Sequence, residues 1–125
     1  MKSLFCMFCT LAIASSVSAQ ETGNAMLKYG LNFLKTPYVA HTLEVNEEEK
    51  LVVNFDEVDC TTFVEYVLAL SLSPVKNGAI DKTDYARVLQ KIRYRDGRIN
   101  GYTSRLHYIA DWINNGVKHG FMEDV

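Results

Sequence analysis

One stretch, residues 54–72, constrains this chain more than any other, because a short strand signal in it runs directly into a strongly apolar helix signal. Asp59 is a candidate N-cap for that helix. The apolar residues that follow recur at helical spacing, and they are Phe63, Val64, Val67, Leu68 and Leu72. Cys60 therefore falls in the first turn, where unpaired backbone N–H groups and the helix dipole favour a thiolate. A thiolate is the form of cysteine that attacks carbonyl carbon.

Residues 1–19 have the pattern of a secretory signal peptide. Lys2 is the charged start, residues 4–14 are an apolar run too short to span a bilayer, and residues 17–19 supply small side chains for cleavage. The mature chain is expected to comprise residues 20–125 and to reside in the periplasm or outside the cell, without membrane contact after cleavage.

Cys60 has two interpretations at this point. The other two cysteines, Cys6 and Cys9, lie inside the predicted signal peptide, so the mature chain has a single cysteine and no internal disulfide. A free thiol in an oxidising compartment needs a reason, and catalysis is one. The alternatives are a small buried residue that ties the helix to a sheet, or a thiol that pairs with another chain.

Charge and motif content narrow the function classes. The formal net charge of -2 predicts no nucleic-acid partner, because such partners require a basic surface. The sequence has no zinc-ligand spacing such as His-x-x-x-His or paired mature cysteines, so neither a metal nor another cofactor is expected. The chain has 125 residues, which is enough for one domain and too few for two.

The periodicity of the whole chain predicts a helix-rich α+β domain. The central helix is predicted from about Cys60 to Leu72, before the loop that begins with Ser73-Pro74. Further helices are predicted over residues 21–35, from Asp81 or Thr83 to about 92, and from Thr103 or Ser104 to about 115. A strand or extended arm is predicted over residues 38–45 and a short strand over 51–55, with loops elsewhere. So small a sheet would leave an edge unpaired, which predicts that strands are missing at the C-terminus.

Four motifs follow one another along the mature chain. They are Pro-Tyr-Val with a later Leu-Glu at 37–44, Asp-Cys-x-Thr-Phe-Val-Glu at 59–65, Arg-Tyr-Arg-Asp-Gly at 93–97, and Tyr-x-Ser-Arg-Leu-His-Tyr with a later Trp at 102–112. Together they resemble the NlpC-type cell-wall cysteine hydrolases, which are papain-like. The closer resemblance is to the bacterial N-acetylmuramoyl-L-alanine amidase-like family of secreted proteins.

The resemblance implies a fold and a reaction. The chain resembles the N-terminal half of a papain-like domain, with Cys60 as the nucleophile at a helix N-terminus. The implied reaction cleaves the amide between N-acetylmuramic acid, or its anhydro form, and L-alanine through a thioester. The general base of this superfamily is a histidine on a later strand, which is expected beyond Val125. The alternative is a catalytically incomplete remnant that binds a muropeptide or peptidoglycan fragment, and a monomer is expected in either case.

The same resemblance implies substrate contacts. Tyr38 matches a tyrosine whose hydroxyl helps to bind substrate or the oxyanion. The remaining candidates lie in the last two motifs, and they are Arg95, Tyr102, Ser104, Arg105 and His107. His107 is expected one turn into the last helix, where it either lines the cleft or bonds the arginine-rich loop.

The arginines of residues 93–98 have two interpretations. Arg95 and its neighbours could hold the carboxylates of a stem peptide through bidentate pairs, or they could form an internal salt-bridge network with Asp96 as acceptor. Tyr102 offers a flat face suited to stacking on a sugar or peptide. Glu65 lies off the helix face of the thiol and is given no catalytic role.

Overall fold

The structure, a computed structural model, describes residues 21–125, so the predicted signal peptide lies outside the described residues. Its elements in chain order are helix α1 (residues 21–31), helix α2 (Cys60–Leu72), strands β1 (Val75–Lys76) and β2 (Ala79–Ile80), helix α3 (Lys82–Arg93) and helix α4 (Ile109–Lys118). Two 3-10 turns, Arg95–Gly97 and Tyr102–Ser104, lie between α3 and α4. The described part is therefore helix-rich α+β, as predicted.

Helix α2 begins with a reciprocal cap. The Asp59 carboxylate accepts the backbone N–H of Thr62 at 2.8 Å, and the Thr62 hydroxyl accepts the backbone N–H of Asp59 at 2.9 Å. Threonine thus takes the place of the glutamate or glutamine usual in a capping box. The helix ends where Ser73 donates its N–H to Ala69 before Pro74. Both predicted ends of the central helix are confirmed.

Removing this cap should destabilise the protein. The Asp59→Ala variant leaves the first turn of α2 without its side-chain acceptor, so the free energy of unfolding should fall by about 1 kcal/mol in urea denaturation. Asp59→Asn keeps an acceptor oxygen and should retain most of that stability. Asp56→Ala, which changes an exposed carboxylate close by, is the matched control. Equal effects of the two alanine variants would contradict the cap.

The core lies between α2 and α3. The buried apolar side chains of this cluster are Val58, Tyr66, Leu68, Ala69, Tyr85, Leu89 and Ile92. Aromatic rings extend the core toward α1, because the Phe33 ring lies 5.7 Å from that of Phe63 and 5.9 Å from that of Phe55. Residues 21–125 include no helix of the length and apolarity that a bilayer crossing requires.

Residues 38–45, predicted as a strand or extended arm, form an arm and not a strand, and the short strand predicted at 51–55 is wrong. The first segment has a single parallel bridge, in which Val39 N–H donates to Val58 at 3.0 Å and Val58 N–H donates to Pro37 at 3.2 Å. The second segment gives its backbone groups to side chains. The Arg93 guanidinium binds the Val52 carbonyl, and the Tyr66 hydroxyl accepts the Asn54 N–H at 3.0 Å. Buried backbone groups need partners, and here side chains replace a neighbouring strand.

The described strands, β1 and β2, instead occupy a segment predicted as loop. They form an antiparallel hairpin closed by Asn77 and Gly78, whose φ angles are 52° and 76°. Positive φ at both central residues is the geometry of the two-residue hairpin turn that Asn-Gly favours.

Helices α1 and α4 differ from their predictions. Helix α1 ends at residue 31 rather than 35, and Leu27 and Leu31 on it and Leu34 after it are exposed. Helix α4 begins at Ile109 rather than Thr103 or Ser104. The residues before it are held extended, because Arg105 bridges Tyr94 and Leu106 N–H donates to the Arg93 carbonyl at 2.9 Å. Ile109 consequently faces solvent at 58 % exposure, not the core.

The loop after α3 is fastened to the end of α4 through Asp96. The Asp96 carboxylate accepts hydrogen bonds from Lys118 Nζ at 2.8 Å and His119 Nε2 at 2.9 Å. The network of Asp96 with the neighbouring arginines is therefore wrong, because its described partners are Lys118 and His119. The bonds from Lys118 and His119 lower the pKa of Asp96 from 3.8 to about 2.

This contact should make stability depend on pH in acid. Because the pKa of Asp96 is lower in the folded chain, its contribution is present above about pH 4 and is lost as pH falls toward 2. The melting temperature of the wild type should therefore drop more steeply over that interval than that of Asp96→Asn, measured by thermal denaturation at closely spaced pH. Asp56→Asn should follow the wild type. Parallel curves for wild type and Asp96→Asn would refute the coupling.

Candidate active site

The thiol of Cys60 is exposed and free at the first residue of α2. Its interpretation as a buried structural cysteine is therefore wrong. The bridge between Tyr38 and Val58 lies two residues before the thiol, so it brings the backbone of the arm beside the start of the helix. The described polar neighbour of the sulfur is the Thr61 hydroxyl, 4.0 Å away.

Two open concavities meet at the start of α2. The first, which we call the thiol groove, has a volume of about 230 Å³ and is lined by Cys60, Thr61, Val64, Ile109, Trp112 and Ile113. Apart from the thiol and Thr61, its walls are apolar or aromatic. Such a groove offers hydrophobic contact beside a potential nucleophile.

The second concavity, which we call the polar pocket, has a volume of about 190 Å³. Its walls come from the arm at residues 40–44, the first turns of α2 and residues 105–107. Thr61 lines both concavities, so the polar pocket adjoins the thiol groove.

The structure brings together only some of the predicted site residues. Cys60 lines the thiol groove, whereas Arg105 and His107 line the polar pocket. Tyr102, which is 56 % exposed, packs beside both, with its ring centroid 4.2 Å from that of His107 and 5.2 Å from the Arg105 guanidinium carbon.

Three other predicted site residues line neither concavity. Ser104 closes a turn, since its hydroxyl donates to Gly101 O at 2.6 Å and accepts the Asn100 N–H. Tyr38 is 71 % exposed on the arm. Arg95 lies apart, with its guanidinium 3.6 Å from Asp111.

His107 precedes α4 instead of lying within it, which corrects the prediction. Its Nε2 is 2.9 Å from the carbonyl oxygen of Tyr102. Because a carbonyl oxygen can only accept, Nε2 carries the proton and the neutral ring keeps Nδ1 as an acceptor. The side chain thus bonds the backbone of the preceding turn while its ring lines the polar pocket.

The other two histidines have carboxylate partners. His41 Nδ1 lies 3.2 Å from Glu44, and His119 bonds Asp96. Within residues 21–125, therefore, the structure shows no histidine bonded to the Cys60 sulfur. In the same residues no group of three or more histidine, cysteine, aspartate or glutamate side chains is arranged to hold a metal ion.

A buried ion pair lies behind the polar pocket. Arg93 Nε donates to Glu65 at 2.7 Å, and the two side chains are 1 % and 2 % exposed. Burial raises the pKa of Glu65, and the charge and hydrogen bond of Arg93 oppose that shift. The sequence interpretation assigned Arg93 to a loop network with Asp96 or to substrate, so its partner 28 residues earlier was missed.

Arg105 is similarly enclosed, with 5 % of its side chain exposed. Its Nη2 donates to Glu44 at 2.9 Å, and its Nε lies 3.3 Å from Glu49. The Tyr94 hydroxyl also donates to Glu49, at 2.7 Å. Arg105 is thus a wall of the polar pocket with its charge already balanced.

Comparison with known proteins gives one family. The family described as AmiA-like, N-acetylmuramoyl-L-alanine amidase-like, matches residues 28–125. A solved structure described as an N-acetylmuramoyl-L-alanine amidase from Bacteroides uniformis is 63% identical, with a TM-score of 0.74, and the match covers 79% of this chain and 41% of that one. No curated protein matches this chain.

Two further solved structures are similar. One from Bacteroides fragilis, described as a candidate xylanase, is 61% identical with a TM-score of 0.74, over 78% of this chain and 42% of that one. A Legionella pneumophila protein is 22% identical with a TM-score of 0.68, over 87% of this chain and 36% of that one, which shows a shared fold alone. The chain thus spans about two fifths of the length of these structures.

Proposed function

Because this chain belongs to the N-acetylmuramoyl-L-alanine amidase-like family, we propose that it carries the nucleophile of a cysteine amidase acting on peptidoglycan fragments. The observation that supports this most is the position of Cys60. Its thiol is exposed, stands in the first turn of a capped helix, and opens into the thiol groove. We assign the domain to the papain-like, NlpC-type hydrolases on the same grounds.

The proposed reaction is acyl transfer through Cys60. The thiolate attacks the carbonyl carbon of the amide that joins N-acetylmuramic acid, or its anhydro form, to L-alanine. The C–N bond breaks, the amine of L-alanine leaves with a proton, and water then hydrolyses the thioester. Backbone N–H groups in the first turn of α2 are suited to hold the oxyanion.

The general base of this mechanism is not assigned to the three described histidines, since each has another partner. On the papain-like assignment the base is a histidine on a strand that follows the nucleophile in sequence. The same observation favours a second candidate function, in which this chain alone binds muropeptides without turning them over.

The proposal includes the place where the protein acts. Residues 1–19 are proposed to be a signal peptide, and the mature domain is proposed to act as a monomer in the periplasm or outside the cell, where muropeptides form. Tyr38 on the arm and Tyr102 beside Arg105 and His107 are proposed to contact the substrate, and both are exposed.

A thioester trap tests the proposal directly. The chain is incubated with N-acetylmuramoyl-L-alanyl-D-isoglutamine and its anhydro analogue, then quenched in acid and digested for mass spectrometry. Release of L-alanyl-D-isoglutamine, with an acyl adduct on the peptide that contains Cys60, is the expected result. A xylan oligosaccharide is the control substrate, and its cleavage would argue for a different chemistry.

The remaining outcomes separate the two candidate functions. Saturable binding of the muropeptide without product identifies a binding remnant. If the chain neither binds nor cleaves either muropeptide, both candidates are wrong.

A further inference from the structure

Helix α4 presents its apolar side to solvent. Ile109, Ile113 and Val117 are spaced four residues apart, so they form one stripe along the helix, and their exposed fractions lie between 38 % and 58 %. The opposite side of the helix holds Asn115 and Gly116, and both are buried. An amphipathic surface helix normally turns its apolar side to the core. Within residues 21–125, therefore, α4 buries the wrong side and leaves its apolar stripe uncovered.

Specific contacts fix this orientation of α4. The Asn115 side chain donates to the Lys91 carbonyl at 3.3 Å and accepts the Asp96 N–H at 3.1 Å. Met122 packs so closely on Gly116 that an added Cβ would lie 2.9 Å from the methionine sulfur. Rotating the helix to bury the stripe would break both hydrogen bonds and displace Met122. The packing of the chain itself thus exposes the stripe.

The apolar surface continues from α4 onto α2 through the thiol groove. Val64, one turn after Cys60, is also exposed and lines the groove together with Ile109, Trp112 and Ile113. The described residues that line the groove include no carboxylate, ammonium or guanidinium group. A contiguous apolar surface on two helices is typical of a protein contact. Its complement is another apolar protein surface.

The comparison with solved structures indicates what covers this surface. The Bacteroides uniformis amidase is 63% identical, but the match covers only 41% of that chain, so more than half of its polypeptide lies outside the match. The surface also ends at Cys60, whose sulfur has no bond to a described histidine. One polypeptide segment seated on the stripe would cover the apolar side chains and bring further polar groups beside the thiol.

We propose that the α4 stripe and Val64 form the docking surface for the part of the family fold that this chain does not span. The occupant is a polypeptide segment with an apolar face, supplied by the part that lies outside the match to the Bacteroides uniformis amidase. This interface goes beyond the proposed function, because it requires no catalysis by Cys60.

Cysteine labelling measures whether the surface is covered. In a Cys60→Ala background, Ile113→Cys places a thiol in the stripe, and Val75→Cys on strand β1 is the matched exposed control. Each variant is made in this chain alone and in a chimera, in which this chain replaces the matched part of the Bacteroides uniformis amidase. Rates of reaction with a maleimide are followed by mass spectrometry of the peptide that contains each site. Cooperative thermal unfolding establishes that each protein is folded.

The two thiols should react at similar rates in this chain alone, because both positions are exposed. In the chimera, the rate for Ile113→Cys should fall by about a hundredfold or more, since labelling then requires the interface to open. Val75→Cys should keep its rate in both proteins.

Four results would overturn the inference. Equal rates for Ile113→Cys in this chain and in the chimera would show an uncovered surface. A chimera without cooperative unfolding would show that this chain does not accept the remaining part of the relative. Protection of Ile113→Cys in this chain alone as its concentration rises would assign the stripe to a second copy. Protection by phosphatidylglycerol vesicles would assign it to a membrane surface.

The thioester trap, applied to the chimera that retains Cys60, separates this interface from the proposed function. Protection of Ile113→Cys without muropeptide turnover would retain the interface and reject the amidase activity. Turnover with an unprotected Ile113→Cys would retain the activity and reject the interface.

Discussion

In a protein that includes the general base, replacement of Cys60 by alanine is expected to abolish release of L-alanyl peptides from muropeptides, lowering kcat by about a thousandfold or more. The reason is that the proposed thioester cannot form without the sulfur. Product is quantified by mass spectrometry over the full time course. The fold should be unaffected, because Cys60 is exposed and the polar contact described for its sulfur is a long one, 4.0 Å to the Thr61 hydroxyl. The free energy of unfolding should change by less than about 0.5 kcal/mol.

This contrast of activity with stability makes the test specific. Ser71→Ala, later in the same helix, is the control for a changed side chain on α2 and should keep the activity of the wild type. Muropeptide affinity should also persist in Cys60→Ala, since the polar pocket is intact. Wild-type product formation by Cys60→Ala would end the nucleophile assignment.

Replacement of Glu65 by leucine is expected to lower the free energy of unfolding by about 3–5 kcal/mol. The variant leaves the Arg93 guanidinium charged and uncompensated in a site where its side chain is 1 % exposed. The double variant Glu65→Leu/Arg93→Met removes both charges, and it should recover most of the lost stability because neither desolvated ion remains. Urea denaturation of the wild type, both single variants and the double variant gives the coupling energy.

An exposed ion pair provides the matched comparison. Lys76 Nζ and Asp84 lie 2.8 Å apart, but the side chains are 66 % and 15 % exposed. Lys76→Met should therefore lower the free energy of unfolding far less than Glu65→Leu does. If Glu65→Leu lowers the free energy of unfolding no more than Lys76→Met does, the buried ion pair is not the strong contribution to stability that we expect.

The features that sequence predicted correctly are local ones. Helix α2 was predicted with its bounds because its cap, its apolar spacing and the Ser73-Pro74 stop are all encoded within one segment. Helix α3 was predicted for the same reason, since Asp81 caps it and Leu89 lies on its buried face. Hydrophobic period and capping chemistry are properties of neighbouring residues, which a sequence displays directly.

The incorrect predictions depend on distant partners. Residues 51–55 have the composition of a strand, yet Arg93 and Tyr66 take their backbone groups. Residues 103–108 have helical spacing, but the bridge from Arg105 to Tyr94 keeps them extended and delays α4. In each case a contact made across the fold overrides the local preference, and such contacts leave no periodic signal.

The candidate site shows the same division. The position of Cys60 at a helix start follows from sequence, because the cap and the cysteine are adjacent. The polar pocket does not, since Thr42, Glu65 and Arg105 come together only through the path of the arm. One signal was available for Glu65. It lies between Thr62 and Tyr66 on the buried face of α2, where a carboxylate requires a basic partner.

The arm at residues 38–44 is held at one end by the bridge to Val58 and at the other by the ion pair of Glu44 with Arg105. Between them it forms one wall of the polar pocket. The Val39 amide should therefore exchange with deuterium well before the amides of α2, since opening the arm breaks few hydrogen bonds. A ligand bound in the pocket would contact the arm and hold it closed. Its binding would then be measurable as slower deuterium uptake in the peptide that contains Val39.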